Sequence, residues 1–103
     1  MDISEISETD RELILKFANA MRDLDVITIL AKPGRPVSES EKQEISKKFD
    51  KDADRPIKES FLALTELEQS SNSDLRNLAE NAIEKKISAV AELRRIAKRL
   101  KQE

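Results

Sequence analysis

The chain has 103 residues, enough for one domain, which we assign to residues 1–103; 39% of its residues are charged and its net charge is −2. Cysteine and histidine are absent and glycine occurs once, which excludes disulfides, thiolate or imidazole metal ligands, and glycine-rich phosphate-binding loops. The first residues are acidic rather than signal-like, and no run approaches the roughly 18 apolar residues of a membrane span. We therefore expect a soluble, cytoplasmic protein with no membrane partner.

The first predicted helix runs from about Asp10 to Ala31, after a short polar lead over residues 1–7. Thr9 and Glu12 have the spacing of a capping box at its start. Apolar residues recur at helical spacing along the segment, which predicts an amphipathic helix with one core-facing stripe. The stripe consists of Leu13, Phe17, Ala20, Met21, Leu24, Ile27 and Ala31.

The end of this helix carries more apolar residues than one stripe requires. Val26, Ile29 and Leu30 lie off the stripe, so this end is apolar nearly all round. The pattern fits a helix end buried on several sides, a short strand, or a docking patch for a second chain. We keep the helix because the sequence contains no partner strand.

Two polar breaks separate the predicted helices. The first, 32–36, reads Lys-Pro-Gly-Arg-Pro, in which proline removes donors and disfavours helix in the preceding residue. Ser38 and Glu41 then form a second capping box for the middle helix. The second break, 70–73, reads Ser-Ser-Asn-Ser, and any of these side chains can cap the helix that follows.

Pro56 leaves the course of the middle helix open. An unbroken helix from Glu39 to about Gln69 would lose one backbone hydrogen bond at Pro56 and be kinked there. Alternatively, the chain breaks at Asp54, which caps a new helix with Pro56 in its first turn. We favour one kinked helix, because three helices of similar length can pack along each other. Its predicted core residues are Ile45, Phe49, Ala53, Ile57, Phe61, Leu64 and Leu67.

The last predicted helix is the longest uninterrupted one, from Asp74 to Gln102, without glycine or proline. Twenty-nine helical residues would span about 43 Å. Lys86 falls inside its apolar arc, where an unpaired buried charge would be costly. Either its stem lies on the core and its amine reaches water, or it pairs with a carboxylate of another helix or subunit and fixes the register.

Asp50, Asp52 and Asp54 resemble the first half of an EF-hand calcium loop, which carries oxygen ligands at these alternating positions. The resemblance covers about a dozen residues and then fails. Arg55 stands where the loop needs glycine, and Phe61 stands where it needs a bidentate glutamate. We therefore predict a solvated helix face or a cap here, and no metal or cofactor.

The last two turns carry a basic face made by Arg94, Arg95, Lys98 and Arg99. From Asn72 onward there are eight Lys or Arg residues against five Asp or Glu, whereas the rest of the chain is acidic. The cations favour a helix C-terminus, and they could face acidic turns of the same bundle, a second subunit or a nucleic acid. The acidic overall charge and the lack of aromatic residues beside them argue against nucleic acid.

These patterns predict an all-α, antiparallel three-helix bundle, with the middle helix kinked or split near Pro56 and four helices if it is split. Catalysis has no histidine or cysteine to activate a nucleophile, so we expect no enzyme. We expect a protein-interaction module, acting as an adaptor, small regulator or assembly subunit and forming a homodimer. Its predicted interface is Val26, Ile29, Leu30 and Ile87. The alternative is a nucleic-acid-associated regulator that uses the basic face.

Overall fold

The computed structural model describes residues 2–31 and 38–102, and only the backbone of 26–31, 41–42 and 44–52. All regular structure in these ranges is helical, as the sequence predicts. A short 3-10 helix, Ile3–Glu5, precedes four α-helices. They are α1 (Glu8–Ala31), α2 (Glu39–Leu67), α3 (Ser73–Ile83) and α4 (Ile87–Gln102).

Helix α1 begins two residues earlier than its predicted start. The Ser7 hydroxyl accepts a hydrogen bond from the Asp10 N–H at 3.2 Å, so Ser7 caps the helix. Thr9 therefore lies inside the first turn, and the predicted Thr9–Glu12 capping box is wrong. Ser7 and Asp10 have the same spacing as Thr9 and Glu12, so the sequence pattern alone does not decide whether Ser7 or Thr9 caps the helix.

The N-terminal lead is part of the core rather than a polar extension. Ile3 and Ile6 are buried against the helices. The Arg11 guanidinium donates hydrogen bonds to the carbonyls of Ile3 and Ile6, each at 3.1 Å. These bonds hold the lead along the first turns of α1 and provide a partner for two carbonyls that precede that helix.

Helix α2 continues through Pro56, whose ring is fully buried. Directly before Pro56, Arg55 ties α2 to α1. Arg55 donates to Asp23 of α1 at 3.1 Å and to Glu59 of α2 at 3.1 Å, and these hydrogen bonds, that to Asp23 first, raise the pKa of Arg55. Burial of the proline ring offsets the loss of its backbone hydrogen bond.

The single final helix predicted for residues 74–102 is wrong, because the chain turns between α3 and α4. Lys85 has φ of 64°, in the left-handed region. The Lys85 N–H donates to the Ala82 carbonyl at 2.9 Å, and the Lys86 N–H donates to the Asn81 carbonyl at 3.0 Å. These two bonds form a Schellman motif, which ends α3 without a glycine.

The break gives the two halves different partners. Helix α3 contacts α2, helix α4 contacts α1, and α3 and α4 contact each other. Lys86 consequently lies at the turn instead of in an apolar arc. It is exposed, with its ammonium 3.2 Å from the Asn81 side-chain oxygen and 3.4 Å from Glu84. Its amine therefore reaches water, which is one of the two predicted alternatives. Lys86 does so from a turn, however, and not from a helix face.

Among the described side chains, the core is aliphatic apart from one aromatic residue, Phe17. Phe17 of α1 is buried together with Ile14, which the predicted stripe omits. Phe61 was predicted to lie in the core and is instead about half exposed, whereas the Phe49 side chain lies outside the described part of the chain. The largest fully buried side chains besides Pro56 are Phe17, Ile14, Leu67, Leu75 and Leu93.

Candidate interaction surface

Helix α2 carries three large apolar side chains on its outer side. Ile57 is 51% exposed, Phe61 is 53% exposed and Leu62 is 59% exposed. Ile57 and Phe61 are four residues apart and therefore neighbours on one side of the helix. Leu62 follows Phe61 in the chain and lies about 100° further round the helix. We call these three residues the α2 apolar patch. Ile57 and Phe61 were predicted as core residues, because their spacing continues the stripe of Leu64 and Leu67.

Ile87 is the most exposed large apolar residue in the described part of the chain, at 84%. It is the first residue of α4, directly after the turn that ends α3. Of the predicted interface residues, it is the one whose side chain the structure describes. Val26, Ile29 and Leu30 belong to α1 by their backbone, and their side chains lie outside the described residues.

The four residues of the predicted basic face have different environments. Arg94 is half buried and donates to Asp25 of α1 at 2.6 Å. Arg95 pairs with Glu92 on its own helix at 3.2 Å. Lys98 and Arg99 are exposed. Two of the four residues are therefore paired with carboxylates of the same chain, which is one of the predicted alternatives.

A cleft between α1 and α4 gathers a set of cations that differs from the predicted one. Its volume is about 340 Å³. Arg94, Arg95 and Lys98 of the predicted face line it, and Arg99 does not. The five cations of this basic cleft are Arg22, Arg94, Arg95, Lys98 and Lys101.

Two small residues, Ala18 of α1 and Ala97 of α4, complete the lining of the basic cleft. Lys101 reaches across to α1, where its ammonium lies 3.3 Å from the Asn19 side-chain oxygen. Lys101 belongs to the same crowd of cations in the last two turns of the sequence, whereas sequence reasoning missed Arg22 as a member of the site. Arg22 is an isolated cation on α1, and only the packing of α4 against α1 brings it beside the others.

The three aspartates near Pro56 do not lie in a loop. The backbone from Asp50 to Phe61 is helical, whereas an EF-hand loop requires a sharp turn at the position of Arg55. Asp54 is exposed and pairs with Lys58 at 3.4 Å. The side chains of Asp50 and Asp52 lie outside the described residues.

The buried carboxylate of Asp10 has a structural role. The Ser70 hydroxyl donates to it at 2.6 Å and accepts from the Asn72 N–H at 3.0 Å. The Asn72 side chain in turn accepts from the N–H groups of Asp74 and Leu75, at 3.0 and 3.3 Å, and so caps α3. This network joins the start of α1 to the start of α3, and its members are engaged with one another.

The described ranges contain neither a metal site nor a membrane-spanning helix. Residues 2–31 and 38–102 contain no group of three or more Asp, Glu, His or Cys side chains arranged to hold a metal ion, as far as their side chains are described. No described helix is both long enough and apolar enough to cross a membrane. Comparison of the chain with protein-family models, with curated proteins and with solved structures finds no significant match.

Proposed function

We propose that the chain is a non-enzymatic protein–protein interaction module, acting as an adaptor, small regulator or assembly subunit. In this proposal α1, α2 and the α3–α4 unit form an antiparallel three-layered bundle that presents apolar side chains to a partner. The contacts of Asp10 with Ser70 and of Asp23 with Arg55 support the antiparallel arrangement, because the partner position moves back along the chain from 70 to 55 as the position in α1 advances from 10 to 23.

The observation that carries the proposal is the exposure of the α2 apolar patch together with Ile87. Fully burying a large aliphatic or aromatic side chain contributes about 1.5–3 kcal/mol, so covering the exposed half of each would contribute about 1 kcal/mol. Scattered exposed apolar residues are common, whereas neighbouring ones are typical of interfaces. Ile57 and Phe61 are neighbours on one side of α2, which favours an interface there.

Ile87 supports a second contact surface. The backbones of α2 and α4 do not pack against each other within the described ranges, so Ile87 and the α2 apolar patch lie on helices that are not direct neighbours. Two apolar surfaces on helices that are not direct neighbours suit an adaptor or an assembly subunit, since each surface can bind a different chain or a different copy.

Self-association is the form of the proposal that the purified chain tests directly. We expect light scattering to show a dimer that dissociates on dilution, and a melting temperature that rises with protein concentration. Phe61→Asp should shift the equilibrium to monomer. Gln69→Asp makes the same charge change at an exposed position two residues beyond the end of α2 and should leave it unaltered.

A monomer at every concentration would overturn self-association and leave a different protein as the partner. A photo-crosslinking residue placed at Phe61 or Ile87 tests that case in the native cell. We expect a discrete crosslinked protein from both positions and none from the exposed control position Arg76. A monomeric chain without adducts from Phe61 and Ile87 would refute the proposal.

A nucleic-acid-associated regulator is the second candidate function, and the basic cleft is the observation that favours it. Phosphate contacts by Arg and Lys make binding strongly dependent on salt. Retention on DNA cellulose that weakens steeply between about 50 and 200 mM salt would support this candidate. Retention should then disappear when Arg94, Arg95, Lys98 and Arg99 are neutralised. Retention that is absent at low salt would exclude it.

A further inference from the structure

The basic cleft has an excess of positive charge that the ion pairs among the described residues do not neutralise. Of its five cations, Arg94 and Arg95 have carboxylate partners, Asp25 and Glu92. The other three therefore carry an excess of three positive charges, while the whole chain has a net charge of −2. A ligand that is negative along its whole length would meet repulsion outside the cleft, and a ligand with a short negative segment would not.

The lining between the cations favours a polypeptide as that ligand. Ala18 is partly exposed in the cleft and has no side-chain atoms beyond Cβ, so a helix or extended segment can approach the α1 backbone closely there and bury a methyl group on it. Ala97 is buried, at 2% exposure, and adds little contact area. Neither Phe17 nor Phe61, the two phenylalanines whose side chains are described, lines the cleft, so bases would find no aromatic ring of either residue for stacking. Carboxylates at the edges of such a segment would face Lys98 and Arg22.

We infer that the basic cleft is the docking site for an acidic amphipathic segment of a partner protein. The inference rests on the proposed interaction function and adds the chemistry of the partner. The acidic side chains of the segment pair with the cations at the rim of the cleft, and its apolar side contacts the partly exposed Ala18. This surface is distinct from the α2 apolar patch, because it is formed by α1 and α4.

Fluorescence anisotropy with a labelled helical peptide, glutamate on one face and leucine on the other, tests the inference on the full chain. We expect the peptide to bind more tightly than its Gln analogue and than single-stranded or duplex DNA of matched charge. Affinity should fall between about 50 and 200 mM salt because rim charges are screened. Tighter binding of DNA than of the peptide would overturn the inference.

Matched charge reversals show where the peptide binds. The double variant Arg95→Glu, Lys98→Glu should weaken peptide binding at least tenfold. The control Lys16→Glu, Arg76→Glu makes the same charge change at exposed positions outside the cleft and should bind as the unaltered chain does. Equal loss in both double variants would mean general attraction and would overturn the inference.

Two further outcomes keep this inference separate from the proposed function. Circular dichroism checks that each variant is folded, and Arg95→Gln, Lys98→Gln replaces the charge reversal if the reversal unfolds the chain. A dimer that the cleft variant dissociates would overturn the inference, because the occupant would be a second copy. If the peptide does not bind the cleft but the chain still self-associates through Phe61, the inference fails and the proposed function stands. If neither peptide binding nor self-association is observed, both fail.

Discussion

Among substitutions that remove one side-chain oxygen atom from a described residue, Ser70→Ala should destabilise the chain most. Ser70 and Asp10 are both buried, at 8% and 7% exposure, and their oxygen atoms are 2.6 Å apart. The same hydroxyl accepts from the Asn72 N–H at 3.0 Å. Ser70→Ala therefore leaves a buried carboxylate and a backbone N–H each without one partner.

The magnitude follows from these two hydrogen bonds. A hydrogen bond to a charged group contributes about 1.5–3 kcal/mol, and one between neutral groups contributes about 1 kcal/mol. Small rearrangements around Asp10 recover part of this, so we expect a loss of about 2–3 kcal/mol in the free energy of unfolding. For a domain of this size, that corresponds to a fall of roughly 8–20 °C in melting temperature.

Chemical denaturation followed by circular dichroism measures this loss. Ser71→Ala is the matched control, because Ser71 is the exposed neighbour, and it should change stability by less than about 0.5 kcal/mol. A double-mutant cycle with Asp10→Ala should give a coupling energy of about 1–3 kcal/mol. If Ser70→Ala matched the control, or if the two sites were additive, the network would not link α1 to α3 as described.

Three further predictions concern other parts of the fold. Lys85→Gly should raise the free energy of unfolding by about 0.5–1 kcal/mol in urea denaturation, because glycine adopts the positive φ without steric cost; a loss would contradict this. Leu67→Ala should cost about 2–5 kcal/mol in the same assay, whereas Leu62→Ala should change stability by less than about 0.5 kcal/mol; similar losses would mean that Leu62 is buried. The pKa of Asp2 is lowered by the Ser4 N–H and then by the Ser4 hydroxyl, so its contribution to stability is present above the ordinary carboxyl pKa and is lost as pH falls through the lowered one. An NMR titration in which the Asp2 carboxyl titrates at its ordinary value would exclude this.

The sequence by itself determined the helical class and most helix boundaries. Helix α2 begins at Glu39, directly after the predicted cap at Ser38, and Asn72 caps α3 within the predicted polar turn. Phe17 lies in the core as its stripe predicts. These features were readable because capping and the 3.6-residue period depend on residues within one or two turns of each other.

The sequence also contained one sign of the missed turn. Lys86 was a charged residue in an otherwise apolar arc of the predicted last helix, next to Glu84 and Lys85. Such a run of three charged residues breaks the stripe at the point where the chain turns. Without a glycine or proline, the pattern did not predict a break, because Lys rarely adopts a positive φ.

Only the tertiary structure decided where the last segment turns and which apolar residues face water. A straight helix from 74 to 102 could not lie along α2 and return along α1, and the turn at Lys85 allows α3 and α4 to do so. Phe61 has the helical spacing of a core residue, yet the neighbouring helices leave about half of its side chain exposed. The basic cleft likewise exists because α4 packs on α1 beside Arg22. Period along a helix fixes which residues share a side; only the neighbouring helices fix how much of that side is buried.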